Sequence, residues 1–386
     1  MPHYHFKILT ETDAQQWNDA LKASTYSTFF QTHEYLKSDS KDRVPIFIYV
    51  LDQNNVVVGQ LGMQIIGTTV MYSSHFFKKI TKLVSSITKR GIWVYGPIMR
   101  VNDKTQRLEV LQQILKAVDE VATKYDLVHV EGQTPPLDLL IDNDYKTMFE
   151  KNQYSKHNFI TFVSDLSQTT DVLWNNVSKK ARGDVTRAQK RNFVAKELQT
   201  RDELKQYLIL NQEWAQTKGL TIADPFQEID VLWKNHTKGH ERFFLAFADG
   251  KLISGVRVGC FNGICYTNFV INSYYDSTNL GGTLLTWHVL EWAQKNGMKF
   301  YDFSGGPKPV STSEQQKHSL LFYKSKWGGK EMPYYIFIKS RKKIFYKLYL
   351  VLFGLVRNYH NFRKKQIKQK INKTQANNLP AEITDE

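Results

Sequence analysis

The sequence predicts an α+β chain made of two copies of one domain, followed by a basic helical tail. Two stretches carry the prediction. Residues 45–74, PIFIYVLDQNNVVVGQLGMQIIGTTVMYSS, read as three β-rich runs split by an Asp-Gln-Asn-Asn turn and a Gly-containing turn. Residues 242–273, RFFLAFADGKLISGVRVGCFNGICYTNFVINS, repeat that plan with Asp249-Gly250 and Asn262-Gly263 as turns. Each stretch predicts an antiparallel three-stranded meander.

A helix and then a strand follow each meander. In the first half the helix is TQRLEVLQQILKAVDEVATKY, with Leu108, Leu111, Leu115, Val118 and Ala122 on one face, and the strand is LVHVEG. In the second half it is LGGTLLTWHVLEWAQKNG, with Leu284, Leu285, His288 and Trp292 along one side, Gly297 as a stop signal and KFYDFSG as the strand. An offset of roughly 200 residues is too long for a solenoid repeat and points to a duplicated domain.

Meander, helix and strand in this order resemble an acyltransferase of the GNAT type, so two GNAT-like domains in tandem are expected, each with its own sheet. The 386 residues suit two domains. The expected division is 1–158, 159–335 with the transfer site, a basic amphipathic helical tail over 336–373, and a disordered end over 374–386. Two unrelated α+β domains sharing generic hairpin signals are the alternative.

An apolar content of 41% with 23% charged residues is a globular composition. The +15 formal charge is uneven: Lys339 to Glu386 hold 12 Lys or Arg against 3 acids, a net of +9, which leaves +6 for the rest. Cys260 and Cys265 flank the Asn262-Gly263 turn, which places the thiols opposite each other; free thiols are expected. The N-terminal MPHYHFKILTETDAQQW has no apolar segment after a basic start, so a cytoplasmic location is expected. The 11 His and two Cys show no paired ligand spacing, so no metal is expected, and neither G-x-S-x-G nor a Walker-type loop occurs.

Residues 301–330, YDFSGGPKPVSTSEQQKHSLLFYKSKWGGK, are unlike a core strand or a linker. Gly305 and Gly306 end a strand where a splayed sheet opens toward ligand; glycines there admit a substrate close to the backbone and allow positive φ. Asp302 suits either orienting an attacking amine or ribose hydroxyl, or capping the turn. LLFYKSKWGGK reads as a further strand, with Lys324 placing a cation where negative charge develops on an acyl carbonyl or phosphate, and Tyr323 on the strand's other side.

These segments resemble the FemABX family of peptidoglycan interpeptide-bridge enzymes. YDFSGG and FYKSKWGGK look like its DFGG-type and F-K-x-x-F-G-G-type strands. FFQTHEYLKS, VYGPIM, TFVSDLSQTTDVLWNNVSKKARGDVTRAQKRN and VLEWAQKNGMKFYDFSGG follow in order, so the resemblance spans nearly residues 25–335. It implies transfer of an amino acid from aminoacyl-tRNA to a stem-peptide amine of a peptidoglycan precursor, by a monomer with no other cofactor. It puts the family's lysine, which holds the aminoacyl-tRNA end and the intermediate, on Lys324, and its aromatic neighbour on Tyr323. Diphosphate-binding residues would fall on Lys37 and on Arg182 or Arg187. No long helical hairpin for tRNA contact is present, as in armless members of the family.

SKKARGDVTRAQKRN also reads as a basic helix by itself. Ser178 is its cap, Val177, Ala181, Val185 and Ala188 face inward, and Lys180, Arg187 and Arg191 share one face suited to phosphate. Gly183 weakens it by about 1 kcal/mol against Ala. Coenzyme A is disfavoured, because the turn Ser277–Gly282 has adjacent glycines and lacks the Arg or Gln that opens the acetyl-CoA pyrophosphate loop. An acyl-CoA N-acyltransferase acting on an amino sugar, and a non-catalytic binder of lipid-linked glycan or RNA, are the alternatives. In the tail, IFYKLYLVLFGLV is too short to span a bilayer and suits an interfacial helix at the inner face of the membrane; a core-docked helix and a basic arm on tRNA are the other readings.

Overall fold

The structure, a computed structural model, describes residues 4–37, 43–67, 88–220, 222, 224–273, 276, 278–309 and 319–377. The third run of the first predicted meander, residues 310–318 and residues 378–386 of the expected disordered end lie outside them. The first half contains β1 (Tyr4–Leu9), α1 (Ala14–Lys22), α2 (His33–Lys37), β2 (Arg43–Asp52), β3 (Val57–Ile66), β4 (Arg90–Trp93), β5 (Ile98–Met99), α3 (Lys104–Lys124), β6 (His129–Gln133) and α4 (Asn143–Lys151). Then come β7 (Ser155–Asp165), α5 (Thr170–Asn176), α6 (Lys179–Lys190), β8 (Val194–Glu197), α7 (Arg201–Thr217) and α8 (Ile229–Thr237). The second meander is β9 (Glu241–Ala248), β10 (Lys251–Phe261) and β11 (Ile264–Asn272), followed by α9 (Leu280–Lys295) and β12 (Phe300–Asp302). The chain ends with β13 (Gly306–Pro307), α10 (Ser319–Ser325), β14 (Lys330–Ser340) and α11 (Lys343–Asn377).

The duplication is visible in the strand order. The sheet runs β1-β2-β3-β4-β6-β14-β7-β12-β11-β10-β9-β8, with β5 on β3 and β13 on β7. Five strands of one half, β1 to β4 and β6, are mirrored by β8 to β12 of the other. In each half a helix, α3 or α9, crosses over to a parallel partner: Arg90 faces His129 in one, Ile264 faces Phe300 in the other.

The expectation of two separate sheets is corrected here. The halves exchange their last strands: β7 leaves the first half and pairs with β12, β14 leaves the second and pairs with β6, and the two pair with each other from Lys330↔Val163 to Ile338↔Ser155. Exchange satisfies the edge backbone groups of both halves within one sheet. The expected boundaries at 158/159 and 335/336 therefore fall inside β7 and β14, which are the strands that fasten the halves together. Residues 374–377, expected in a disordered end, continue α11.

Each half keeps its own core. Ile48, Leu61, Val110, Ile114 and Val118 pack between sheet and α3 in the first, and Phe244, Val258, Leu285, Val289 and Leu290 between sheet and α9 in the second. α6 packs against α9 through Ala181, Val185 and Ala188, all buried, and the Ser178 hydroxyl accepts from the Ala181 amide, as the pattern predicts. Asn262 and Gly263 take positive φ at the hairpin tip and set Cys260 opposite Cys265, both free, with sulfurs 3.0 Å apart.

Candidate active site

β11 and β12 pair only at Ile264↔Phe300, Cys265↔Tyr301 and Tyr266↔Asp302, and then part. The register of β11 against β10 shifts between Arg257 and Val258, leaving Asn268 as an extra residue in a β-bulge, which bends the strand away. A cavity of about 450 Å³ opens at this split. Val256, Val270, Val289, Tyr301 and Phe303 form its apolar wall; Thr267, Asn272, Asn279 and Thr286 supply polar groups; Trp214, Lys218 and Leu320 also line it, with Tyr323 and Lys324 from α10.

In the first half the equivalent split is tied shut. The Trp93 ring lies over Gly132, where a Cβ would overlap it, and the Gly96 amide donates to the Gln133 carbonyl at 2.9 Å.

Lys324 is buried, and its ammonium donates to the Ser304 carbonyl oxygen at 2.6 Å. Desolvation lowers its pKa to about 8, against the pull of the Asp302 carboxylate. Lys324 does not lie on a strand, as expected, but on the helix α10. Leu321, Lys324 and Trp327 are buried while Leu320 and Phe322 are exposed, a spacing of three that a strand's alternation cannot give. Tyr323 is consequently a neighbour on the same cavity wall, not a residue of an opposite face. Its hydroxyl reaches Thr286 Oγ1 at 2.8 Å and donates to the Gly282 carbonyl at 3.2 Å, and burial pushes it to about 12.

Asp302 is 1% exposed. Its Oδ1 accepts from the Thr161 hydroxyl of β7 and from the Ser304 amide at 2.8 Å, so it caps the turn after β12. Burial raises it to about 6, opposed by those two hydrogen bonds, by Lys324 and by the Tyr95 hydroxyl of the first half. The same carboxylate, after burial itself, holds the Tyr95 phenol well above its usual range.

The glycine expectation is corrected. Neither Gly305 nor Gly306 takes positive φ; Ser304 does, at 58°, with its hydroxyl on the Thr267 carbonyl at 2.6 Å. A Cβ on Gly305 would run into the Ile160 carbonyl and lie 2.7 Å from the Tyr334 hydroxyl, so this glycine serves close packing on β7 and β14, not approach of a ligand. Gly306 pairs with Ile160 and abuts Leu321.

The basic candidates stand apart from the cavity lining. Arg182 Nη1 donates to the carbonyls of Trp174, Asn175 and Val177, closing the end of α5. Arg187 is exposed and pairs with Asp184 at 2.5 Å, and Lys37 pairs with Glu11. Asp184 is near enough to Tyr323 to raise its pKa, so α6 backs the same wall.

Sequence reasoning missed Ser304, Thr161, Tyr95 and Asp276. Asp276, buried, accepts from the Gly281 amide at 3.0 Å and from the Thr278 hydroxyl at 2.6 Å, so a carboxylate already sits on the opening turn of α9. An Asp two residues before Thr and five before a Gly pair was the available signal.

Residues 179–312 match the family described as "Acetyltransferase (GNAT) domain". Among solved structures, FemX has a TM-score of 0.67 at 13% identity, over 89% of this chain and 99% of that one. L-PGS from Bacillus licheniformis has a TM-score of 0.53 at 14% identity over 88% and 95%, and a tandem GNAT protein from the clavulanic acid biosynthesis pathway 0.53 at 14% over 87% and 97%. A search of the curated proteins finds no match. Residues 179–312 thus match a GNAT-type acetyltransferase domain, and the chain as a whole is similar in fold to FemX.

Proposed function

We propose that this protein transfers an amino acid from aminoacyl-tRNA to the stem-peptide amine of a lipid-linked peptidoglycan precursor, with no further cofactor. The observation that supports this best is the buried Lys324 ammonium at the wall of the split-sheet cavity, with one N–H on Ser304 and, among the described residues, two left for an acyl donor. The precursor amine attacks the ester carbonyl of the aminoacyl-tRNA. An amide bond forms, the ester C–O bond breaks, and the terminal ribose hydroxyl leaves with the proton that the amine loses. Lys324 stabilises the oxyanion of the tetrahedral intermediate, and Asp302 keeps the Ser304 turn and the lysine in place.

The Asp276 carboxylate on the Gly281 amide favours this donor over an acyl-CoA. It occupies an amide that a pyrophosphate would need and repels that anion. FemX and L-PGS are similar in fold, and the tandem GNAT protein shares it too.

The test incubates purified protein with radiolabelled aminoacyl-tRNA and a lipid-linked peptidoglycan precursor. Labelled product that disappears with Lys324→Ala is expected. Thiol release from acetyl-CoA with an amino sugar, and no product from aminoacyl-tRNA, would overturn the proposal in favour of an N-acyltransferase; ligand binding without turnover would leave a binder.

A further inference from the structure

α11 carries two apolar faces on opposite sides. One face is used by the protein itself: Tyr346 and Tyr349 pack at a tilt against the buried His129 ring, with centroids 4.9 and 4.8 Å away, and Tyr349 meets the Arg90 guanidinium. Behind this root, Lys339 and Arg341 hold Asp119 at 2.8 and 3.2 Å, so the start of the helix is fixed to the first half.

The other face is open to solvent. Ile344, Leu348, Val351, Leu355 and Phe362 recur at the spacing of one helix side, and all are exposed, Ile344 by 81% and Leu355 by 61%. These residues span roughly 27 Å of helix at about 1.5 Å per residue. No helix among the described residues is long and apolar enough to cross a membrane.

The charge on the helix selects among occupants. Lys343–Asn377 contains nine Lys or Arg and no acidic residue. A second copy of the helix would bring like charges together, and a nucleic acid would leave the five apolar side chains in water. An anionic lipid surface satisfies both features, taking the apolar stripe below its headgroups and the cations among them.

We infer that the outer face of α11 docks the enzyme flat on an anionic bilayer. Because the inner face is clamped at His129 and Arg90, the helix acts as a fixed foot that presents the body in one orientation, in contrast to a flexible tether. The inference is independent of the aminoacyl reading, since it needs neither donor nor acceptor.

The experiment is cosedimentation of the full chain with vesicles of phosphatidylcholine alone or mixed with phosphatidylglycerol. Pelleting with the mixed vesicles, weakened by salt, is expected. The double variant Val351→Glu, Leu355→Glu should lower the affinity by roughly tenfold or more with unchanged circular dichroism, because both side chains are exposed. Tyr349→Ala should leave vesicle binding in place but change the protease-protection pattern of the bound body, by loosening the clamp. No pelleting with mixed vesicles, binding indifferent to the double Glu variant, protection unchanged by Tyr349→Ala, or a dimer or tRNA complex that depends on the same stripe would each overturn it.

Discussion

The Lys324 ammonium reaches the carbonyl of Ser304 at 2.6 Å, two residues past the carboxylate that lowers its charging cost. This places a desolvated cation and a desolvated anion around one turn of backbone. Each shifts mainly because burial penalises its charged form, Lys324 downward to about 8 and Asp302 upward to about 6.

Activity should follow a bell in pH. The acid limb rises through about 6 as Asp302 loses its proton, and the alkaline limb falls through about 8 as Lys324 loses its own. Lys324→Ala should cut kcat by about 10²-fold or more, and Lys324→Arg should carry the alkaline limb beyond the measured range. The kcat/KM profile of aminoacyl transfer is the measurement.

Tyr95→Phe removes a hydroxyl that helps to keep Asp302 ionised. The Asp302 pKa should rise, so the acid limb should move to higher pH while the alkaline limb moves little. An unchanged acid limb would show that the first half does not tune the site.

Two glycines should respond in opposite directions. Gly305→Ala forces a Cβ into the Ile160 carbonyl and should destabilise by about 3 kcal/mol. Gly183→Ala, with nothing within 4 Å, should stabilise by about 1 kcal/mol through helix propensity. Urea unfolding of the two variants measures both.

The arginines of α6 should separate stability from binding. Arg182→Ala removes a donor from three carbonyls at the end of α5, of which Trp174 keeps the Val177 amide, and should cost about 1 to 2 kcal/mol. Arg187→Ala, at an exposed pair, should change stability by less than about 0.5 kcal/mol. If α6 meets the precursor's diphosphate, Arg187→Ala raises the acceptor KM with kcat unchanged.

Local pattern alone determined a good deal. Turn residues at Asp249-Gly250 and Asn262-Gly263 and the Ser178 cap are decided by neighbours within a few residues and appear as read. The helices α3 and α9 form where the apolar spacing put them, but Leu108, His288 and Trp292 of the expected stripes are only half-buried, and α9 buries Trp287, Val289 and Leu290 as well as Leu284 and Leu285. The duplication was legible for the same reason, and Lys324 and Asp302 could be singled out from their strand-end and Gly-pair surroundings. Tertiary structure decided the rest. The exchange of β7 and β14 depends on pairing between distant strands, so a plan repeated along the chain could not reveal one shared sheet. The helix at 319–325 arises because Leu321, Lys324 and Trp327 bury together, overriding aromatic residues that favour a strand. Positive φ fell on Ser304 because Gly305 was needed for contact with β7. The charge states of Asp302 and Lys324 follow from burial that three separate segments create, with Tyr95 and Thr161 brought in from outside the second meander; no window of sequence contains that environment.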